Sequence, residues 1–179
     1  MEENVHYISM AIPNEEIRVI FKNTVLSWFE QKISKKDLTP LYKSILEGRC
    51  EDFETAVSQM LRGGISFYDT KESFYHGFLM GLLNGLEDYY AFSNRESGLG
   101  RYDICLKSME ADKPAVLMEL KVAAGYGELE ERSSQALQQI LEKEYERELV
   151  WEGYREVLCY GIAFYKKSCR IKLEKHKLS

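Results

Sequence analysis

The stretch AVLMELKVA (115–123) is apolar on both faces except at Glu119 and Lys121, which a two-residue period places on the same face. A strand apolar on both sides is expected at the centre of a sheet covered by helices. A carboxylate and an ammonium there are costly unless they pair or bind something. Working outward, RYDICLK (101–107) alternates Tyr102, Ile104 and Leu106 with Asp103, Cys105 and Lys107, and the polar loop SMEADKP separates it from the central run. If the two strands pair as a hairpin, Asp103 and Glu119 converge at one end of the sheet. Two carboxylates held together repel, and a divalent cation relieves the repulsion. All-oxygen donors suit Mg²⁺ or Mn²⁺. The alternative reading of the same pattern is a buried Lys–Glu–Asp salt-bridge set.

The surrounding chain alternates helical and strand periods. EEIRVIFKNTVLSWFEQKI (15–33) has a helical stripe, a second helix is expected from Thr39-Pro40 to Gly48, and a third from about Glu51 to Leu61, ended by Gly63-Gly64. A fourth, about 70–90, carries Phe74, Phe78, Leu82 and Leu86 on one stripe and Gly77, Gly81 and Gly85 on another. Three glycines on one face predict a closely passing backbone. YYAFSNRES (89–97) reads as a strand, a long helix is expected from about Glu128 to Glu148, and EVLCYGIAFY (156–165) with CRIKLEK (169–175) reads as a terminal hairpin turning at Lys167-Ser168. The order is three helices followed by αβββαββ. Gly63-Gly64 is the candidate boundary, dividing a helical extension (1–65) from an α/β domain (66–179).

Composition narrows the function classes. The 179 residues carry 24 Lys+Arg against 29 Asp+Glu, a net charge of −5, which argues against non-specific nucleic-acid binding through a basic surface. The charge is uneven: KKSCRIKLEKHK (166–177) holds six Lys/Arg against one Glu, whereas 128–156 holds nine Glu against four Lys/Arg. No apolar run approaches the ~20 residues of a membrane span, so no membrane partner is expected, and MEENVHYISM lacks the pattern of a signal peptide. The four cysteines form no CxxC pair, which fits a reduced, cytoplasmic protein with buried thiols. The three histidines lie far apart in sequence, which argues against a zinc site.

Asp103…Glu119-Leu120-Lys121 resembles the D…(D/E)xK signature of the PD-(D/E)XK nuclease superfamily. The segments ESFYHGFLMGLL (72–83), SNRESGLGRYDI (93–104), VLMELKVA (116–123), ALQQILEKEY (136–145) and GYREVLCYGIAFYKKSCRIK (153–172) resemble the nuclease-like C-terminal domain of prokaryotic AAA-ATPase-like proteins. Residues 7–21 and the helices to about 62 resemble, more loosely, the end of that family's ATPase portion. The chain has no GxxxxGK[ST], so it lacks that family's upstream phosphate-binding loop. The resemblance implies a restriction-endonuclease-like core, αβββαβ, with a mixed central sheet flanked by helices. It also implies a site in which Asp103, Glu119 and the Leu120 carbonyl hold Mg²⁺ or Mn²⁺, Lys121 activates the attacking water, Gln139 supports the site and Glu72 completes it, with Glu96 competing for that last role.

Each residue also has a plainer reading. Asp69-Thr70-Lys71-Glu72 fits a capping box, with Glu72 bonding back to the helix start. His76 either contacts phosphate or is a satisfied, half-buried histidine. Of Gln135 and Gln139, the second is favoured because it flanks Ile140. Arg95 and Arg101 either hold phosphate or form surface salt bridges, and the lysine-rich end either tracks a nucleic-acid backbone or protects an edge strand. Two functions follow. One is a Mg²⁺-dependent nuclease acting on nucleic acid, DNA ahead of RNA, with a homodimer as an option carried over from other nucleases of this fold. The other is a non-catalytic interaction module, docking on an ATPase or another protein partner.

Overall fold

The computed structural model describes residues 36–178 apart from 65–70, 94, 95, 98, 99 and 111. The expected helix at 15–33, Arg95, and the Asp69-Thr70 half of the capping box lie outside these residues. Asp37–Ser179 forms one compact unit.

Helix α1 spans Thr39–Glu47, with Pro40 in its first turn and Gly48 closing it at φ 78°, a left-handed conformation that glycine adopts without strain. Its start differs from the expected Thr39 cap: Asp37 Oδ1 accepts the Thr39 N–H at 2.9 Å. Helix α2 spans Cys50–Gly64. Helix α3 runs only from Glu72 to Leu83, shorter than the expected 70–90, and buries Tyr75, Phe78, Leu79, Leu82 and Leu83. At two of the three glycines of the expected stripe, Gly77 and Gly85, no backbone passes close by. Gly77 is exposed with nothing near where a Cβ would stand, and Gly85 lies beyond the helix end against the Tyr42 hydroxyl.

The strands are β1 (Tyr89–Ser93), β2 (Glu96–Ser97), β3 (Gly100–Arg101), β4 (Ile104–Ser108), β5 (Ala115–Val122), β6 (Glu156–Tyr165) and β7 (Ser168–Lys177). Five form a mixed sheet in the order β1-β4-β5-β6-β7. Only β5 and β6 run parallel, with Glu119 opposite Gly161. The others pair antiparallel, and Ile104 sits opposite Met118. Strand β2 pairs with β3 as a separate two-stranded ribbon. The β4 region departs from the expected alternation: the strand begins after Asp103 and all five of its residues are buried. The parallel crossover requires a covering element, and helix α4 (Leu129–Glu142) supplies it. The expected continuous helix to Glu148 breaks at Glu144, which has φ 51°. Tyr145 turns into the core there and donates its hydroxyl to the Arg101 carbonyl at 2.7 Å. Helix α5 (Arg147–Trp151) follows.

Alternate residues of the sheet serve two cores. Cys105, Ala115, Leu117, Val157 and Cys159 pack with Ile140, Tyr145 and Leu149 of the α4–α5 layer. On the other face, Tyr160 meets Phe53 edge-on at 5.6 Å and Phe164 stacks on Tyr75 at 4.3 Å. Helix α2 also covers the outer strand: Glu54 Oε1 accepts the Ile171 N–H at 2.8 Å. That satisfies one backbone donor of an edge that would otherwise invite pairing.

Candidate active site

Strand β5 continues past the end of its pairing with β4, which covers only residues 104–106 against 116–118. Asp103 lies just outside that ladder, and its Oδ2 accepts the Leu120 N–H at 2.8 Å. A carboxylate thus takes the place of a strand partner, and this fixes Asp103 beside the Glu119–Lys121 face. Helix α4 brings Gln139 over the same face. Its amide nitrogen donates to Glu119 Oε1, and its Oε1 accepts from Lys121 Nζ at 2.8 Å. The glutamine therefore bridges the two charged side chains of β5 and holds both in place. Gln135, four residues earlier, is exposed and bonded to Glu131 and Arg132.

The electrostatics of the pair are strained. Glu119 is only 5% exposed, and its Oε2 is buried and accepts no hydrogen bond. Burial and the Asp103 charge push its pKa up to about 8, against the opposing pull of Lys121. Burial also raises Asp103, opposed by the Leu120 N–H, His76 and Lys121. A buried carboxylate oxygen without a donor, next to a second carboxylate, is an incomplete environment. A hard divalent cation would complete it, since it binds oxygen and favours the charged form of both groups. Asp103 and Glu119 thus fit such an ion, with the adjoining Leu120 carbonyl as a further oxygen donor.

Of the remaining candidates, Glu72 and His76 lie close to this centre. Glu72 stands exposed at the first turn of α3, near enough to Glu119 to raise its pKa. The residue capping that helix is Lys71, without a side-chain cap bond, so Glu72 does not occupy the third helical position that a capping box requires. His76 is a half-buried histidine whose Nε2 lies 2.9 Å from Ser93 Oγ and 3.2 Å from the Asp103 carbonyl. It steadies the Asp103 backbone. Arg101 is exposed beside the site, and Glu96 lies in β2. Two supporting residues escaped sequence reasoning. Tyr145 lies in the stretch expected to be one long helix, yet its hydroxyl pins the Arg101 carbonyl two residues before Asp103. Ser93 carries no sequence signal for its contact with His76. The lysine-rich end is partly engaged: Arg170 bridges Glu54 at 3.2 Å and Glu130 at 3.3 Å, and Lys172 bonds Glu130.

Among the described residues, no helix is long and apolar enough to cross a membrane. No curated protein matches the chain in sequence. The sequence model of the PD-(D/E)XK nuclease superfamily matches residues 70–174. That span holds β1 to β6, β7 as far as Glu174, helix α4 and the Asp103, Glu119, Lys121 and Gln139 cluster, and the architecture is that of a restriction-endonuclease-like fold. By sequence and by architecture, the chain belongs to the PD-(D/E)XK nuclease superfamily.

Proposed function

We propose that the protein is a metal-dependent nuclease that hydrolyses phosphodiester bonds of nucleic acid, DNA ahead of RNA, at the Asp103–Glu119–Lys121 centre. The observation that carries this reading is the buried Glu119 Oε2, which has no donor and sits beside a second carboxylate on the strand that also presents Lys121. Asp103, Glu119 and the Leu120 carbonyl would hold Mg²⁺ or Mn²⁺. When bound, such an ion supplies charge neutralisation at the phosphate and a lowered pKa for a coordinated water. Lys121 places a positive charge beside the phosphate and orients the attacking water. Gln139 keeps Lys121 and Glu119 in register through its two hydrogen bonds. Glu72 is the further carboxylate proposed to complete the site, and Arg101 and Arg95 are the contacts proposed to phosphate. The resemblance to AAA-ATPase-like proteins supports an ATPase partner, and the nuclease fold supports a homodimer. The four free thiols support a reducing, cytoplasmic setting.

A second reading, a non-catalytic interaction module, draws on the net charge of −5 and on the pairing of Arg170 and Lys172 with acidic side chains. Thermal unfolding in EDTA and then in Mn²⁺, on the native sequence and on Asp103→Ala, separates the two. The nuclease reading expects Mn²⁺ to raise the melting temperature of the native chain. It also expects Asp103→Ala to lose the shift and Glu119→Gln to abolish cleavage of a DNA substrate. A chain that neither shifts nor cleaves DNA or RNA belongs to the second reading.

A further inference from the structure

A second set of donors converges on the α4–α5 face of the sheet, one strand over from Glu119. Cys159 of β6 sits opposite Leu117, two residues before the Glu119 position, and opposite Glu174 of β7. His176 of β7 lies on the same face. Glu146, in the turn between α4 and α5, reaches down to them. One ligand atom from each of Glu146, Cys159 and His176 lies within 4.8 Å of the other two. Such donors sit about 3.3–3.8 Å apart around a tetrahedral ion with bonds of about 2.0–2.3 Å, so a modest contraction closes the set.

Three features separate this cluster from an ordinary histidine–glutamate ion pair. The Cys159 thiol is fully buried yet adjoins an imidazole and a carboxylate rather than apolar groups alone. Glu146 Oε2 is buried and accepts no hydrogen bond, so one oxygen of that carboxylate has no partner in the ion pair. His176 is held from behind: its Nε2 lies 2.9 Å from Glu174 Oε1, while its Nδ1 faces Glu146 at 3.3 Å. A carboxylate on the far ring nitrogen is the arrangement that orients a metal-ligating histidine.

We propose that Cys159, His176 and Glu146 form a site for a thiophilic divalent metal ion of the zinc type, separate from the Asp103–Glu119 centre. Thiolate and imidazole donors select zinc over the hard ions suited to the all-oxygen site. Three protein ligands leave a fourth position for water, reached past the partly exposed side chains of His176 and Glu146, which are 23% and 22% accessible. Binding releases the Cys159 thiol proton to solvent, and the ion takes the place of a proton at Nδ1. The ion would fasten the α4–α5 turn to the β6–β7 hairpin. The wide sequence spacing of the histidines does not count against this site, because only one of them contributes and the other donors come from a turn and a strand that the fold brings to it.

The test is a Co²⁺ titration of the metal-free full-length chain, read by absorption. A near-ultraviolet thiolate-to-cobalt band that saturates at one equivalent is expected in the native chain and in Asp103→Ala. It should vanish in Cys159→Ser. Glu174→Gln, which keeps all three ligands, should weaken Co²⁺ binding about tenfold, so the proposal remains testable if Cys159→Ser fails to fold. Absence of the band from the native chain overturns the site. So does a band of equal strength in Cys159→Ser, which would assign it to another cysteine, or unchanged affinity in Glu174→Gln.

Discussion

Glu119 is where the chemistry of the site becomes measurable without substrate. Its folded pKa of about 8 stands well above the ordinary carboxylate value of 4.5 that applies once the chain unfolds. The direction of linkage is the reverse of the usual carboxylate case. Below about pH 4.5 both states hold the proton and the contribution is fully present; as pH rises toward about 8 only the unfolded state releases it, and stability falls. Asp103, also raised by burial, acts in the same sense. Urea unfolding in EDTA should therefore show stability declining between about pH 5 and about pH 8, and Glu119→Gln should flatten most of that decline. A flat native profile would mean that the carboxylate is charged and stabilised by groups other than those described. The Glu119–Lys121 pair was legible in the sequence because two charges in one apolar strand have no ordinary explanation. Gln139 was legible only through family resemblance. Tyr145 and Ser93 were not legible, because what each does is set by a partner many residues away.

At the scale of elements, the tightest backbone approach to a described glycine is on a strand, at a position that no helical stripe marks. Helix α4 crosses β6 at Gly161, where a Cβ would fall on the Ser133 carbonyl oxygen, the Leu137 amide nitrogen and the Leu137 side chain. Gly161 also faces Glu119 across the parallel pair, so the same close approach lets Gln139 reach the site. A glycine stripe on a helix is visible by its period, whereas a single glycine inside an apolar strand gives no such signal. Two substitutions should then behave oppositely. Gly161→Ala should cost about 3 kcal/mol, because both atoms it meets first are backbone and cannot move aside. Gly77→Ala, at an exposed helical position with nothing near its Cβ, should add about 0.5–1 kcal/mol. Urea midpoints of the two variants check the contrast, and equal effects would place the tight contact elsewhere. The break in the expected helix at Glu144 has a related origin. The helical period continues through Tyr145, and the turn is imposed by the tertiary demand that the tyrosine ring enter the core beside Tyr102, 6.2 Å between ring centres.

For the whole molecule, the glycine pair at 63–64 marks where a helix ends, and punctuation of that kind carries no information about packing. Helices α1 and α2 bury Leu41, Ile45, Phe53, Val57 and Leu61, each at 2% exposure or less. The Tyr160 hydroxyl of β6 donates to the Ile45 carbonyl across 115 residues of chain. Glu54 binds both Arg170 and the Ile171 N–H on the outer strand. Five fully buried apolar side chains at about 1.5–3 kcal/mol each amount to roughly 10 kcal/mol, comparable with the whole net stability of an ordinary domain. A chain beginning at residue 66 would keep the family-matched segment and the Asp103–Glu119 centre. It would also uncover Tyr160 on the second face of β6 and remove the partner of the β7 edge. Such a chain should lack a cooperative urea transition and lose its near-ultraviolet circular dichroism, whereas Phe53→Ala in the full chain should still fold and lose about 3–5 kcal/mol. A cooperative transition in the shortened chain, at a midpoint near that of the full one, would mean that the sheet closes its second face without these helices.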